Sequence, residues 1–387
     1  MKNIIKALGL TAAVLLTVSA CSGGSEQVTE DVDPKADGAA WTIPALFTDC
    51  TASDVDPAGC VGPAEELDYT SLSRDEVTKA WALCAALPHL KDSIWIASNY
   101  GLVSQAERLD VNLSVVEAGG YENLAEQVSQ IEDCVSSGAD AILVGAVSYD
   151  SINPALEQAR AQGVKVIDYG NGVSTPDVDG RVVVDYRDMG TMIGQHLAGL
   201  GEDLTVAVFP GPAGVGWSER SLSGFEDAVA GSGVEVADVK YGDTGREVQL
   251  KLVEDALAAN PDLDALVGNA PMLEAAASVL AEQGKSDQVR LYGTYTTPET
   301  MALIEAGRAG CGSVEPTVLS GQFGVDMAVR VLEGKNSPQA DARISPVPLV
   351  LCGPAEGDSN NLDGFDKQTT FAPDGWQPES VVKSTRS

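Results

Sequence analysis

Between Lys91 and Asp150 the apolar positions switch back and forth between two periods. A spacing of about 3.6 that opens at Asp92-Ser-Ile-Trp95 and runs to Leu109, with Asp92 or Ser93 placed to cap its start, predicts a helix. The β-branched run Val111–Glu117 predicts a strand, and after the loop Ala118-Gly-Gly-Tyr121 a second helix is expected over Glu122–Ser137. Ala141–Val144 is near-continuously apolar, as a strand buried on both faces of a parallel sheet is, and Ala146-Val-Ser-Tyr149 follows it. Ahead of this stretch, Ala82–Leu87 predicts the first strand, and Pro88–Ser93 its loop.

The alternation continues through a helix from Asn153-Pro154 to Gln162, stopped at Gly163, and a strand at Val164–Asp168. Arg181–Val184 predicts a further strand and Met189–Leu200 a helix. The pattern then restarts. Strand Thr205–Phe209, loop Pro210–Gly216 and helix Ser218–Ala230 come first, followed by strand Val234–Val239 and helix Arg246–Ala259. Strand Ala265–Val267, helix Met272–Gln283 and strand Val289–Leu291 complete the second block. Two successive βα blocks predict an α/β protein of two doubly wound parallel-sheet lobes. Helix Pro298–Ala306, strand Cys311–Val314, helix Gly321–Glu333 and strand Val347–Leu351 remain, which is what a chain crossing back to complete the first lobe leaves. In such sheets ligands sit outside the carboxyl ends of the strands, so the loops there are the first place to look for function.

Composition narrows the function classes. The 387 residues carry 57 Asp and Glu against 24 Lys and Arg, a net charge of −33. That balance excludes nucleic acid as a partner, since phosphate recognition needs a basic surface. At the start, Met1–Lys6 supplies two positive charges, Ala7–Val18 is apolar, and Val18-Ser-Ala-Cys21 matches a bacterial lipobox. Residues 1–20 are therefore expected to be a lipoprotein signal peptide, with Cys21 lipidated and a polar tether after it. Residues 22–78 are acidic, Pro-rich and weakly periodic, with one apolar island at Trp41–Phe47. Six further cysteines remain, an even number that suits disulfides in an exported protein, with fifteen possible pairings. The preferred set is Cys50–Cys60, Cys84–Cys134 and Cys311–Cys352: one local clip, one tie from the first strand to the second helix, and one between two late strands. A metal site is disfavoured, because no CxxC is present and only His89 and His196 are available to help.

Motifs for catalysis are missing: there is no HExxH, no GxSxG and no Walker A sequence, and Pro210–Gly216 lacks the GxGxxG spacing. No cofactor is expected. Aromatic residues make up only 5% of the chain, yet several fall on loops after strands: Trp95, Tyr121, Tyr149, Tyr186, Trp217 and Tyr295, with Asp92 and Asp168 on the same rim. Each alone fits core packing. Together they resemble an aromatic cage with a carboxylate, which attracts a quaternary or strongly dipolar amine by about 0.5–2 kcal/mol per good contact. Asn171, Asn269, Asp243 and Arg220 keep a sugar site open as the alternative.

Trp81–Cys84, Lys91–Trp95, Asn99–Gly101, Val116–Tyr121 and Ile131–Cys134 carry a resemblance, joined by Phe209–Pro212, Gly242-Asp243, Glu247–Gln249 and Ala372–Pro378. Across residues 79–378 the chain resembles the TorT-like trimethylamine N-oxide (TMAO) sensors among the type I periplasmic binding proteins. The resemblance implies two lobes joined by three crossover strands: a first lobe of 79–184 plus 318–346, a second of 185–317, and a C-terminal strand and tail, 347–387. It implies a cage of Trp95, Tyr121, Tyr186 and Tyr295 with Asp92 at the amine end, Tyr186 standing where the family has Trp; Trp217 and Asp168 are second-rank candidates. It also implies a membrane sensor histidine kinase that reads the occupied form. The lipobox departs from that family and makes the permease of an ABC importer the rival partner.

Overall fold

A computed structural model describes residues 38–56, 59–335 and 342–386. The apolar leader and Cys21 lie outside the described residues, among which no helix is long and apolar enough to cross a membrane.

In chain order, β1 (Thr42–Asp49) and β2 (Glu65–Thr70) form an antiparallel hairpin. The first lobe continues with β3 (Ala82–Leu87), α1 (Ser93–Leu109), β4 (Asn112–Glu117), α2 (Leu124–Ser136) and β5 (Ala141–Val144). Helix α3 (Asn153–Ala161), β6 (Lys165–Tyr169) and β7 (Gly180–Val182) follow. The second lobe opens with α4 (Tyr186–Gly199), β8 (Leu204–Phe209), α5 (Gly216–Val229), β9 (Val234–Val239) and α6 (Arg246–Ala259). It goes on through β10 (Ala265–Gly268), α7 (Ala270–Gln283), β11 (Arg290–Gly293), α8 (Pro298–Glu305) and β12 (Cys311–Val314). Helix α9 (Thr317–Leu332) and β13 (Ala342–Pro346) return to the first lobe, β14 (Leu349–Cys352) joins the second, and β15 (Val381–Val382) ends on the first.

The first sheet runs β15-β4-β3-β5-β6-β7-β13-β1-β2 and the second β14-β12-β11-β10-β8-β9. Neighbours from β4 to β13 are parallel, as are those from β12 to β9, so the fold is two doubly wound α/β lobes. Each sheet buries both faces. In the first lobe Leu83, Leu143, Ile167 and Phe323 pack on the α1 and α9 side, and Ile142, Val144, Val166 and Leu156 on the α2 and α3 side. The chain crosses between lobes at 183–185, 315–316 and 347–348, between the elements named above.

Strands β13 and β15 are not marked by the periodicity, the expected strand Val347–Leu351 is β14 with the crossing before it, and two further features depart. Helix α9 starts at Thr317 rather than Gly321, because Gly321 is an interior residue at the contact with α1. A Cβ on it would come within 2.7 Å of the Ser98 carbonyl oxygen, and one on Gly101 within 2.1 Å of the Val318 carbonyl oxygen. The residue that reads as a helix boundary is the one that lets two backbones touch. The other departure is the hairpin: the weakly periodic island is part of the first lobe's sheet, with most of β2 exposed.

The hairpin is pinned from behind by Asp326 of α9. Its carboxylate accepts from the Tyr69 hydroxyl and, at 2.8 Å, from the Leu72 amide, and from Gln105 Nε2 and Arg330 Nε at 3.2 and 2.9 Å. The Tyr69 ring lies 4.4 Å from that of Phe323, and Trp41 stacks on Phe323 at 5.7 Å. The cysteines pair as Cys50–Cys60, Cys84–Cys134 and Cys311–Cys352; the last two face each other across β12 and β14. His196 and the Cys311–Cys352 pair cluster within 4.8 Å, but the sulfurs are bonded to each other and present no thiolate to a metal.

After β14 the tail packs Phe371 against Met301, Val314 and Leu351 of the second lobe. It then docks on the first, where Trp376 meets Tyr100 edge-on at 4.9 Å and Asn99 accepts from Trp376 Nε1 and the Glu379 amide. Asp326→Ala removes the acceptor shared by four donors and leaves Arg330 without its partner. We expect a loss of about 3–5 kcal/mol in urea unfolding, with amide exchange accelerated first over residues 42–70.

Candidate ligand-binding cavity between the lobes

Strand ends from both sheets converge on one partly open cavity of about 40 Å3. The first lobe contributes Trp95 from the first turn of α1, Tyr121 from the loop after β4, and Tyr169, Gly170 and Asn171 from the end of β6. The second contributes Tyr186 at the start of α4, Trp217 at the start of α5 and Tyr295 after β11, while Glu315 comes from the second crossing. Asp92 closes one end.

Trp217 joins the rings of the two lobes. Its centroid lies 6.2 Å from Tyr121, 6.5 Å from Tyr186 and 5.8 Å, edge-on, from Tyr295. Trp95 meets Tyr169 edge-on at 6.4 Å. Both indoles lie against glycine. A Cβ on Gly145 would come within 2.7 Å of Trp95, and one on Gly211, at φ +125°, within 2.3 Å of Trp217. The Gly-rich loop 210–216 therefore seats a ring.

The polar groups are few and specific. The Tyr121 hydroxyl accepts from Trp95 Nε1 at 3.3 Å and Asn171 Nδ2 at 3.4 Å, so its own proton is free to donate. Trp217 Nε1 lies beside that hydroxyl and is buried, but makes no hydrogen bond of ordinary geometry. Burial raises the phenols of Tyr121, Tyr186 and Tyr295, which are neutral at physiological pH. Asp92 caps α1 through the Trp95 amide at 3.1 Å. Burial pushes its carboxyl up, against His89 and two backbone amides that pull it down, and Asp243 adds to the rise. Glu315 accepts from the Tyr186 hydroxyl at 3.1 Å and the Ser320 hydroxyl at 3.2 Å, and burial lifts its carboxyl to about 7.

Six of the seven residues singled out from the sequence thus surround this cavity, and Asp168 does not. It is buried behind it, in an ion pair with Arg181 and within 3.3 Å of the Val173 amide. Of the residues that keep a sugar site open, only Asn171 lines the space. Asn269 caps α7 through the Met272 amide at 3.0 Å, and Arg220 is held by Asp185 at 2.5 Å. Asp185 also binds Arg343 of the first lobe at 3.0 Å, which makes it a charge bridge across the first crossing. Burial works against its ionisation, but Arg343 and Arg220 hold its carboxyl below the usual range. Tyr169, the last residue of β6, and Glu315, just after β12, are among the lining residues that periodicity missed; both lie where a strand gives way to a loop.

A model of the periplasmic binding protein domain matches residues 85–336. The chain belongs to the periplasmic binding proteins. This binding protein is 33% identical over 311 residues to the periplasmic protein TorT of Escherichia coli K12, 79% of this chain and 86% of that one. TorT solved with the TorS sensor domain in the presence of TMAO superposes with a TM-score of 0.68 at 26% identity, over 78% of this chain and 99% of that one. An ABC transporter solute-binding protein from Bradyrhizobium sp. BTAi1, with bound bis-tris, gives a TM-score of 0.72 at 37% identity, covering 87% and 97%. The ribose import binding protein of Salmonella typhimurium is 25% identical over 248 residues, 64% of this chain and 83% of that one. The binding protein is thus TorT-like, in a family of solute-binding and sensor proteins found in the periplasm.

Glu315 gives the cavity a pH signature. Its carboxyl loses its proton near 4.5 in the unfolded chain and near 7 in the folded one, so its contribution to stability is present below about 4.5 and lost as pH rises to about 7. Glu315→Gln should remove that loss. Urea unfolding at about pH 4.5 and about pH 7.5 should show the wild type giving up of order 3 kcal/mol more than the variant between the two.

Proposed function

We propose that this binding protein is an extracytoplasmic receptor, tethered by lipid at Cys21, that closes on a small amine oxide or quaternary ammonium compound. The observation that carries the reading is the set of rings from both lobes around one small cavity. Ring faces attract an N-methyl shell bearing positive charge. The Tyr121 hydroxyl and the Trp217 indole are donors for the oxygen of an amine oxide. TMAO, present with the TorS–TorT complex, and bis-tris, bound to the Bradyrhizobium protein, are both nitrogen centres with three or more carbon substituents. A sugar needs a ring of polar partners, and here Asn269 and Arg220 are committed to the fold.

Closure carries the signal. Rings from the two lobes meet only when the cleft is shut, so a guest that fills the space favours the shut form by its difference in affinity for the two. The membrane partner is a sensor histidine kinase, as the complex of TorT with TorS supports, or the permease of an ABC importer, as the Bradyrhizobium protein supports. The lipobox at Val18–Cys21 suits attachment beside either.

Thermal unfolding with TMAO, choline, betaine, ribose or galactose tests the ligand class. A true ligand at 100 times its dissociation constant adds about 2.7 kcal/mol. Trp217→Ala should weaken binding about tenfold or more and quench the ligand-induced change in Trp fluorescence. Stabilisation by the sugars alone overturns the amine reading. Separately, Cys21→Ser should move the protein from the membrane to the soluble fraction of expressing cells.

A further inference from the structure

Glu315 has no counterpart among the charges that hold the rest of the fold. The other buried carboxylates among the described residues are paired: Asp168 with Arg181, Asp185 with Arg220 and Arg343, Asp326 with Arg330, while Asp92, partly exposed, faces only His89 at 3.9 Å. Glu315 is only 6% exposed, and among the described residues it makes no ion pair. Its neighbours are the Tyr186 hydroxyl from α4, the Ser320 hydroxyl from α9 and, further off, the Tyr169 phenol from β6, all neutral. Both carboxyl oxygens already accept hydrogen bonds, one each, and the group lines the cavity. Both hydroxyls can donate to the carboxylate, but a buried anion without a cation is costly, so a cation in the cavity would favour the charged form.

We propose that Glu315 is the counter-ion of the bound ligand and selects, within the amine class, a net cation over a neutral amine oxide. This rests on the amine-receptor reading and names its ligand more closely. The class is a small ammonium cation carrying one oxygen on a short arm. The nitrogen faces Glu315, its alkyl groups lie against Tyr186, Trp217 and Tyr169, and the oxygen accepts from Tyr121 and Trp217. Asp92, at the α1 cap, adds negative potential from the other end of the cavity without an ion pair closer than the 3.9 Å contact to His89. The ligand's charge also explains why a burial cost is tolerated at a crossing between lobes. In the open cleft water solvates the carboxylate, and in the closed one the ligand replaces that water.

Three probes separate charge from shape: choline, its uncharged isostere 3,3-dimethyl-1-butanol, and TMAO. Titration calorimetry should rank choline tightest, with the isostere weaker by about tenfold or more. Glu315→Gln should weaken choline about tenfold while leaving the isostere and TMAO within about threefold. In the wild type, choline affinity should fall as pH drops from about 8 to about 5.5 and the carboxyl takes up its proton; in the variant that slope should vanish. Tyr186→Phe, which removes one hydrogen bond and no charge, should keep the preference for choline. Equal binding of choline and its isostere, or a variant that binds choline as the wild type does, overturns the proposal while the amine reading stands. If no amine binds the wild type, the receptor reading fails and this proposal with it.

Discussion

The contact between Trp217 and Tyr121 of the opposite lobe, backed by Tyr186 and Tyr295 beside Trp217, is the constraint on which the rest depends. Tyr121 reaches it from the first sheet, Tyr186 and Tyr295 from the second, and the three contacts lie within 5.8–6.5 Å. Each ring sits at the carboxyl end of a parallel strand or the helix start that follows one, so the two sheets need only face each other for the rings to meet. Aromatic pairs of this kind add about 0.5–1.5 kcal/mol beyond the area they bury. Of these contacts only Tyr121–Trp217 crosses the cleft, enough to favour the shut form and too little to hold it shut without help.

The surrounding structure limits how the two halves move. Asp185 ties Arg343 to Arg220 across the first crossing, and the Ser93 hydroxyl donates to Glu299 at 2.8 Å from one lobe to the other. The C-terminal tail adds a further connection, apolar at Phe371 on the second lobe and hydrogen-bonded through Asn99 on the first. Cys84–Cys134 and Cys311–Cys352 each stay within one lobe, so they stiffen the halves and leave the motion between them free. Rigid halves with a soft connection suit a receptor whose output is the position of one half against the other.

Charge inside the cavity stands apart from charge on the surface. A net charge of −33 is spread over a solvated exterior where it favours solubility and steers cations. Glu315 and Asp92 line a ring-walled cavity largely shielded from water, where each charge has a larger effect. Their carboxyls are raised chiefly by burial, a cost that a cation in the cavity would offset.

Much of this was legible in the chain. Strands such as Ala82–Leu87 and Ala141–Val144 are apolar throughout because both faces are buried, and Asp92 marks the start of α1 by its capping chemistry. The aromatic positions after strands were visible for the same reason: a parallel strand must end in a loop, and the loops stand out by composition. Other features had no local signature. The hairpin of β1 and β2 has one row of buried residues, too sparse for periodicity, and its place is decided by Asp326, some 250 residues away. Gly321 looks like a helix boundary until α1 lies against it. Asp168 and Glu315 are both acidic residues at strand ends; only the fold gives the first an arginine and denies one to the second. Local pattern alone marks most of the parallel strands and the helices between them, and the rings at their ends, because those depend on neighbours within a few residues. Which charges are paired, and which rings share one cavity, the tertiary structure decided, because those depend on groups brought together from distant parts of the chain.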